Sequence, residues 1–527
     1  MMKNVLVADK LARGGLRILK SRKDIRVEVA TGLSKNELKK IIGRFNGIIV
    51  RSGAKLTRDV IAKAKSLEVI ARAGVGVDNV DVEAATKRGI LVLNTPRGNT
   101  ISAAELAVAM MLALARNIPQ LDRSVKDGKW LRGKTIGTEL FGKALGLVGL
   151  GRIGAEVARR ARAFGMKVIA FDPYVSPERA AHYEVETVPL SKLLKTADFI
   201  SIHSPLNAET RGMIGAKQFA AMRKGVRIVN CARGGIIDQA SLFKAIKSGA
   251  VAGCALDVFE QEPPVDRKLI ALPQVICSPH IGASTEEAQD NVARQAVEQL
   301  IDALDGKHVR NAVNAPEIAP EVAEKMGPLL DLASKMGMLL VQFTGKCPQR
   351  VKLTMYGEQS EFEPQPLSNS FAAGILGPVL SEPVNYVNAP IIARERGLSI
   401  ETAQSDEKTE FSELLVAETG TAGKALRMSG TVFGSEPRIV QINNYHVDIE
   451  PSGHLVICRN RDKPGVIKHL SAVVADAGVN IADMTVGRDK PGGTALTVIR
   501  TDAPVSQSLL AAIGSSRLIL DAKAISL

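Results

Sequence analysis

The stretch from Ala144 to Asp172 constrains this chain more than any other part of it. Ala144–Val148 reads as a buried strand, and Gly149-Leu150-Gly151-Arg152-Ile153-Gly154 follows at once. Ile153, Val157, Ala158 and Ala161 then recur on one helical face, and a second apolar run, Met166–Phe171, ends in Asp172. A lone G-x-G-x-x-G says little in a chain with 46 glycines. Strand, glycine-rich turn, helix and a second strand ending in a carboxylate together specify a dinucleotide-binding unit. Gly149 permits the tight turn, Gly151 lets the backbone approach a pyrophosphate, and Gly154 lets the helix pack on the strand. The helix N-terminus receives the negative charge, with Arg152 placed to assist. Asp172 can accept hydrogen bonds from the adenine ribose hydroxyls and would repel a 2′-phosphate. No Arg stands directly after it, so NAD is expected rather than NADP.

About 100 residues precede this unit, in which Gly47–Val50, Val69–Ala71 and Leu91–Leu93 alternate with helical stretches. Phe199–Ile202 and Arg227–Asn230 continue the pattern to about Pro279, as in a parallel α/β sheet covered on both faces. A long helix is expected from Ser284 to Leu304, and Asn311–Glu321, rich in Asn and Pro, reads as a linker. Residues 317–452 hold short β-like runs and an acidic stretch but no motif with chemical meaning. Residues 453–527 parse as strand, helix, strand, strand, helix, strand, the ferredoxin-like βαββαβ order.

A chain of 527 residues exceeds a single core, and 45% apolar with 24% charged residues is ordinary for a globular protein. The longest apolar stretch, Ala103–Ala115, is interrupted by Glu105 and too short for a bilayer, and no signal peptide precedes the first strand. No membrane association is expected, and the cytoplasm is. Five scattered cysteines suggest reduced thiols, and no Cys/His cluster has metal-ligand spacing. A net charge of +14 without long Lys/Arg runs, beside only 4% aromatics, points to anionic small ligands rather than nucleic acid. RNA-recognition modules share the βαββαβ order but stack bases on aromatic rings, and 453–527 contains no Phe, Trp or Tyr.

Three segments follow predicted strands beyond the cofactor motif: Asn230–Gly235, Asp257–Pro263 and Ser278–Gly282. They offer Arg233, Glu262 and His280. A guanidinium can grip a substrate carboxylate in two hydrogen bonds. An imidazole can take a hydroxyl proton, and a neighbouring carboxylate can orient it and raise its pKa. With Gly149–Gly154 and Arg72-Ala73-Gly74-Val75-Gly76-Val77-Asp78-Asn79-Val80-Asp81, these segments resemble the D-isomer-specific 2-hydroxyacid dehydrogenase family over residues 3 to about 315. The resemblance implies an oxidoreductase in which Arg233 binds the substrate, His280 is the acid/base and Glu262 its partner. It places Ile153, Ser204, Pro205, Cys231, Ala232, Asp257, His280 and Gly282 beside the cofactor.

The resemblance also implies a Rossmann-type NAD domain (100–282) inserted in a flavodoxin-like substrate domain (1–99 and 283–315). An α+β intervening domain (317–452, of the allosteric substrate-binding kind) and an ACT domain (453–527) follow. Over its full length the chain is similar to the long branch of the family that oxidises 3-phosphoglycerate at the start of serine biosynthesis. In that branch Arg51, Arg72, Gly74 and Asn99 match substrate positions, and Arg132 matches one supplied by a neighbouring subunit. Ser102 and Glu105 lie in the segment bridging the domains, and Arg438 matches the region of an anion site in the intervening domain. Asn460, Asp462 and Asn480 match effector positions for L-serine, although Asn460 stands where some serine-inhibited members have Tyr. A homotetramer is expected. The competing readings are a glyoxylate, hydroxypyruvate or lactate dehydrogenase, and a non-catalytic NAD-responsive module of transcriptional repression. The tail of about 200 residues disfavours the first, and the intact Arg233, Glu262 and His280 set the second.

Overall fold

The computed structural model describes residues 2–132, 135–307, 310–316, 318, 320–357, 362–380, 383–420 and 426–527. The boundary expected at 317 lies outside them. Five strands (Lys3–Val7, Ile25–Val29, Gly47–Val50, Val69–Arg72 and Leu91–Leu93) form the first sheet in the order 2-1-3-4-5. Every pairing is parallel, the flavodoxin order, and Gly47–Val50 is buried throughout because helices cover both faces.

The second sheet holds seven parallel strands: Ala144–Val148, Lys167–Phe171, Glu186–Thr187, Phe199–Ile202, Val226–Asn230, Val251–Leu256 and Val275–Cys277. Numbered within the sheet, they run 7-6-5-4-1-2-3. The order therefore reverses between Ala144–Val148 and Phe199–Ile202, and ligands bind at the carboxyl ends of such a switch point. Helix Thr100–Arg116 leads from the first sheet to the second and packs on helix Arg152–Ala163. Helix Glu286–Leu304, capped by Thr285, returns to the first sheet, where Val292, Ala296, Val297 and Leu300 join Val5, Val7 and Ala71 in one core. The cleft between the sheets is thus spanned twice.

The linker reading of Asn311–Glu321 needs correction at both ends. Asn314 is stitched to the first sheet, accepting from the Val92 amide at 2.8 Å and donating to the Ile90 carbonyl at 2.9 Å. Helix Pro320–Thr344 then begins inside the stretch. The Asn and Pro residues that suggested a loop act instead as side-chain partner and helix start. This helix crosses Gln365–Leu376 closely, because Gly337 and Gly374 carry no side chain where each faces the other helix's backbone. Both cover a six-stranded sheet, antiparallel except where Arg350–Gly357 pairs with Ser399–Ser405.

The last sheet is antiparallel in the order 2-3-1-4, the ferredoxin arrangement. One of its faces packs on helices Val466–Asp476 and Gln507–Gly514. From the other, Leu455, Ile457, Leu496, Val498 and Ile525 enter the core of the intervening domain. Asn385 and Val387 dock that domain on the first sheet, Asn385 donating to the Gly89 carbonyl at 2.8 Å.

Candidate active site

The glycine-rich turn carries three glycines with three different reasons to be glycine. Gly149 sits at φ +100°, where a Cβ would lie 2.8 Å from the His203 carbonyl. A Cβ on Gly154 would lie 2.3 Å from the Gly149 oxygen. One on Gly151 would meet nothing within 4 Å, so this backbone faces open space. No side chain caps helix Arg152–Ala163 and no acid stands in its first turn, which leaves its first amides free for a phosphate. Asp172 accepts the Leu150 amide at 2.8 Å and the Tyr174 amide at 3.0 Å, and its remaining lone pairs can take ribose hydroxyls. These features fit NAD, which is the nucleotide the chain uses.

The floor of the turn was not legible beforehand. His203 lies beneath it, with Nε2 2.8 Å from Ser201 Oγ, and burial pushes its pKa down to about 4. Ser204 donates to the Val148 carbonyl at 3.0 Å, and the Pro205 carbonyl accepts from Thr210. Both follow strand Phe199–Ile202. Arg152 reaches across to the Pro96 carbonyl at 3.5 Å, and Ile153 packs into the core beneath the turn. Cys231 lies with Sγ 3.5 Å from Met110 Sδ, and burial pushes its thiol pKa up.

His280 also sits in the left-handed region, at φ +54°. Fully buried Asp257 holds it there, accepting from Ser278 Oγ at 2.6 Å, Ile281 N at 2.8 Å and Gly282 N at 2.9 Å. Ser102 adds a bond to the Gly282 carbonyl at 2.7 Å, tying the inter-sheet helix to this loop. His280 Nδ1 is 2.7 Å from Glu262 Oε2, while Glu262 Oε1 accepts the Phe259 amide at 3.1 Å. Asn230, barely exposed, shapes the neighbouring turn by accepting from Ala232 N and donating to the Arg233 carbonyl.

Arg233 Nε lies 3.4 Å from Asp78 across the cleft. A Cβ on Gly76 would fall 2.0 Å from Arg233 Nη2, and one on Gly74 (φ +151°) 1.5 Å from Arg72 Nη1. The two glycines therefore make room for two guanidiniums, a contact of Gly76 that only its place in the Arg72–Asp81 motif hinted at. Arg72 is largely buried and its Nε has no hydrogen-bond partner. Burial first, then Arg233 and Arg51, push its pKa down to about 10. Arg51 is held by Asp9, which accepts its amide at 2.6 Å. Asn99 Oδ1, Thr95 Oγ1 and Thr100 Oγ1 are further buried atoms without partners, all near the crossing between the sheets.

Other expected residues lie elsewhere. Glu105 pairs with Arg160 at 3.2 Å on an exposed surface. Arg132 is exposed beside Trp130, which is 75% exposed, and joins no ion pair among the described residues. Arg438 is paired with Glu436 and Asp448. Asn460 is buried, accepting from Thr497 Oγ1 at 2.8 Å and donating to the Arg461 carbonyl, so its amide is committed within the sheet. Asp462 accepts the Gly492 amide, and exposed Asn480 donates to Asp502.

Three family descriptions match: "D-isomer specific 2-hydroxyacid dehydrogenase, NAD binding domain" over residues 108–282, "D-3-phosphoglycerate dehydrogenase intervening domain" over 325–443, and "ACT domain" over 454–516. The D-3-phosphoglycerate dehydrogenase of Archaeoglobus fulgidus is 44% identical over 98% of this chain and 99% of its own. That of Methanocaldococcus jannaschii is 43% identical over the whole of both. Among solved structures, D-lactate dehydrogenase from Aquifex aeolicus, complexed with NAD and lactic acid, is 30% identical with a TM-score of 0.52, over 60% of this chain and 100% of that one.

Proposed function

This chain belongs to the D-3-phosphoglycerate dehydrogenase family, and on that premise we propose that its cleft oxidises 3-phosphoglycerate to 3-phosphohydroxypyruvate, the first step of serine biosynthesis. The observation that carries the reading is the grouping of Arg51, Arg72 and Arg233 around the Gly74–Asp78 loop, with Arg72 Nε unpartnered. Asp78 and Asp9 offset only part of this charge, so a carboxylate and a dianionic phosphate suit the cleft. Arg233 holds the carboxylate, and Arg51 and Arg72 hold the phosphate, with Asn99 beside them. When bound, NAD accepts the hydride from carbon 2. Glu262 accepts a hydrogen bond from His280 Nδ1, which leaves the Nε2 lone pair to take the hydroxyl proton. The imidazolium so formed is stabilised by the same carboxylate.

The domain division at 100, 282, 317 and 453 is part of this reading. Ile118, Trp130, Ile136 and Phe141 are exposed apolar side chains on the coenzyme domain, and we assign them to a subunit contact that would bring Arg132 to a neighbour's cleft in a homotetramer. L-serine is the proposed effector, bound through Asp462 and Asn480; the buried Asn460 supports the fold there rather than the ligand. Five cysteines with free thiols suit the cytoplasm. Among the described residues no single helix is long and apolar enough to cross a membrane.

The test is NADH oxidation with 3-phosphohydroxypyruvate, hydroxypyruvate and glyoxylate, with and without L-serine. The phosphate's charge-assisted bonds should favour the first substrate in kcat/KM by on the order of 100-fold or more. Equal turnover of the unphosphorylated acids would leave a dehydrogenase with a different substrate.

A further inference from the structure

A cavity of about 410 Å³ lies away from the cleft, in the seam between the intervening and ACT domains of one chain. Its floor is the outer face of the ACT sheet, with Ile457, Arg459, Leu496, Asp521 and Lys523. Phe343, in the last turn of helix Pro320–Thr344, forms one wall, and the hairpin Ile442–Tyr445 forms the opposite one.

The charges here are arranged unlike those of the cleft. Arg459 and Asp521 face each other from adjacent antiparallel strands, yet neither side chain makes a hydrogen bond or ion pair among the described residues. The other two charges are already engaged. Lys523 donates to the Phe343 carbonyl and lies over its ring, and Asp489 accepts from Thr494 and the Lys490 amide. Tyr445 is fixed by a 2.7 Å bond to Thr494. Among the described residues, what remains for a ligand is one free cation, one free anion, the Asn443 and Asn444 side chains, and an apolar wall of Phe343, Ile442, Ile457 and Leu496. A phosphate would meet two carboxylates here, and an amine would meet two cations. A molecule carrying both charges satisfies both, and the volume exceeds what a side chain as small as serine's would fill.

We propose that this seam is a second effector site, for a free α-amino acid with an apolar side chain. Its carboxylate pairs with Arg459, its ammonium with Asp521, and its side chain lies against Phe343, Ile442 and Tyr445. The site is separate from Asp462 and Asn480 and does not depend on serine binding there. Because the ligand touches both domains, its binding stabilises the seam at which they share one core.

The experiment is titration calorimetry and thermal unfolding of the full chain with L-leucine, L-methionine and L-phenylalanine. Glycine, L-serine, isocaproate (leucine without its ammonium) and isoamylamine (leucine without its carboxylate) serve as comparisons. At least one apolar amino acid should bind saturably and raise Tm, and each comparison compound should bind about tenfold or more weaker in that assay. Arg459→Gln and Asp521→Asn should each weaken binding by a similar factor, while Asp462→Ala leaves it unchanged. Both substituted residues are exposed, so the changes spare the core, and slowed amide exchange of Ile442–Tyr445 on ligand addition provides a readout in the unmodified chain. Absence of binding by all three apolar amino acids, equal binding of isocaproate or isoamylamine, or insensitivity to both seam substitutions would overturn the proposal.

Discussion

His280 works from a backbone conformation that a residue with a side chain adopts at a cost, φ +54°, and the neighbouring structure offsets that cost. Asp257 accepts three hydrogen bonds from the same loop, so the fold alone holds the imidazole in place. His280→Asn should therefore keep the loop, and NAD affinity by fluorescence titration should change less than about threefold, while kcat falls by roughly 10²–10⁴. Unchanged turnover would remove His280 from the mechanism. His203 makes a different prediction. Burial pushes its pKa down to about 4, so the folded chain keeps it neutral, whereas the unfolded chain protonates it below about 6.5. Between these values the unfolded state binds more protons. Its contribution to stability is thus whole above pH 6.5 and declines as pH falls toward 4, by on the order of 3 kcal/mol in all. His203→Gln can still meet Ser201 and does not titrate, so its Tm should fall less than that of the unmodified chain between pH 7 and 4.5. Parallel Tm profiles would assign the acid sensitivity to other groups.

At the scale of elements, the strand–turn–helix unit separates folding from binding. An added methyl on Gly154 collides with the Gly149 carbonyl at 2.3 Å, backbone against backbone, so Gly154→Ala should lower stability by about 1–3 kcal/mol. The same change at Gly151 meets nothing. Gly151→Ala should leave Tm nearly unchanged and weaken NAD by tenfold or more, because the methyl occupies space the pyrophosphate needs. Equal loss of stability in both variants would contradict this division. The unit was readable in the sequence because all its determinants are local: spacing, periodicity and one carboxylate at a strand end. Other elements depend on distant partners. His203 and Gly76 acquire their roles from contacts across the fold, and a single sequence does not show which residues those will be. Asn314 looked like loop material and proved to be a side-chain partner for the Val92 amide, a link spanning more than 200 residues of chain. Asn460 was read by its place in a motif, and only its alternation along the strand His454–Arg461 turns its amide inward to Thr497.

For the whole molecule, the distribution of cores decides what can be separated from what. Four apolar clusters account for the two parallel sheets, and among the described residues Val387 is their only member from beyond 315. The cluster under the intervening sheet, by contrast, draws Leu455, Ile457, Leu496, Val498 and Ile525 from the ACT sheet, so those two domains share a core. Among the described residues the catalytic half and the tail touch at Val387 and at the Asn385–Gly89 bond. A chain ended after Ala315 loses one partly shared apolar contact and that hydrogen bond, a cost of about 2–4 kcal/mol against the full stability of two covered sheets. The D-lactate dehydrogenase relative is matched over 100% of its length by 60% of this chain, which agrees with a catalytic half that is complete in itself. The truncated chain should fold, bind NAD and reduce 3-phosphohydroxypyruvate with kcat within about tenfold of the full chain, while losing any response to amino acids. A cut after Glu450 should do worse than the deeper one. It strips the ACT sheet from a core that the intervening domain cannot close alone, leaving Met336, Leu353 and Ile439 short of cover. Soluble expression and Tm of the two truncations, measured side by side, check this order. If the longer fragment were the more stable, the shared core would not be the unit of stability that its contacts imply.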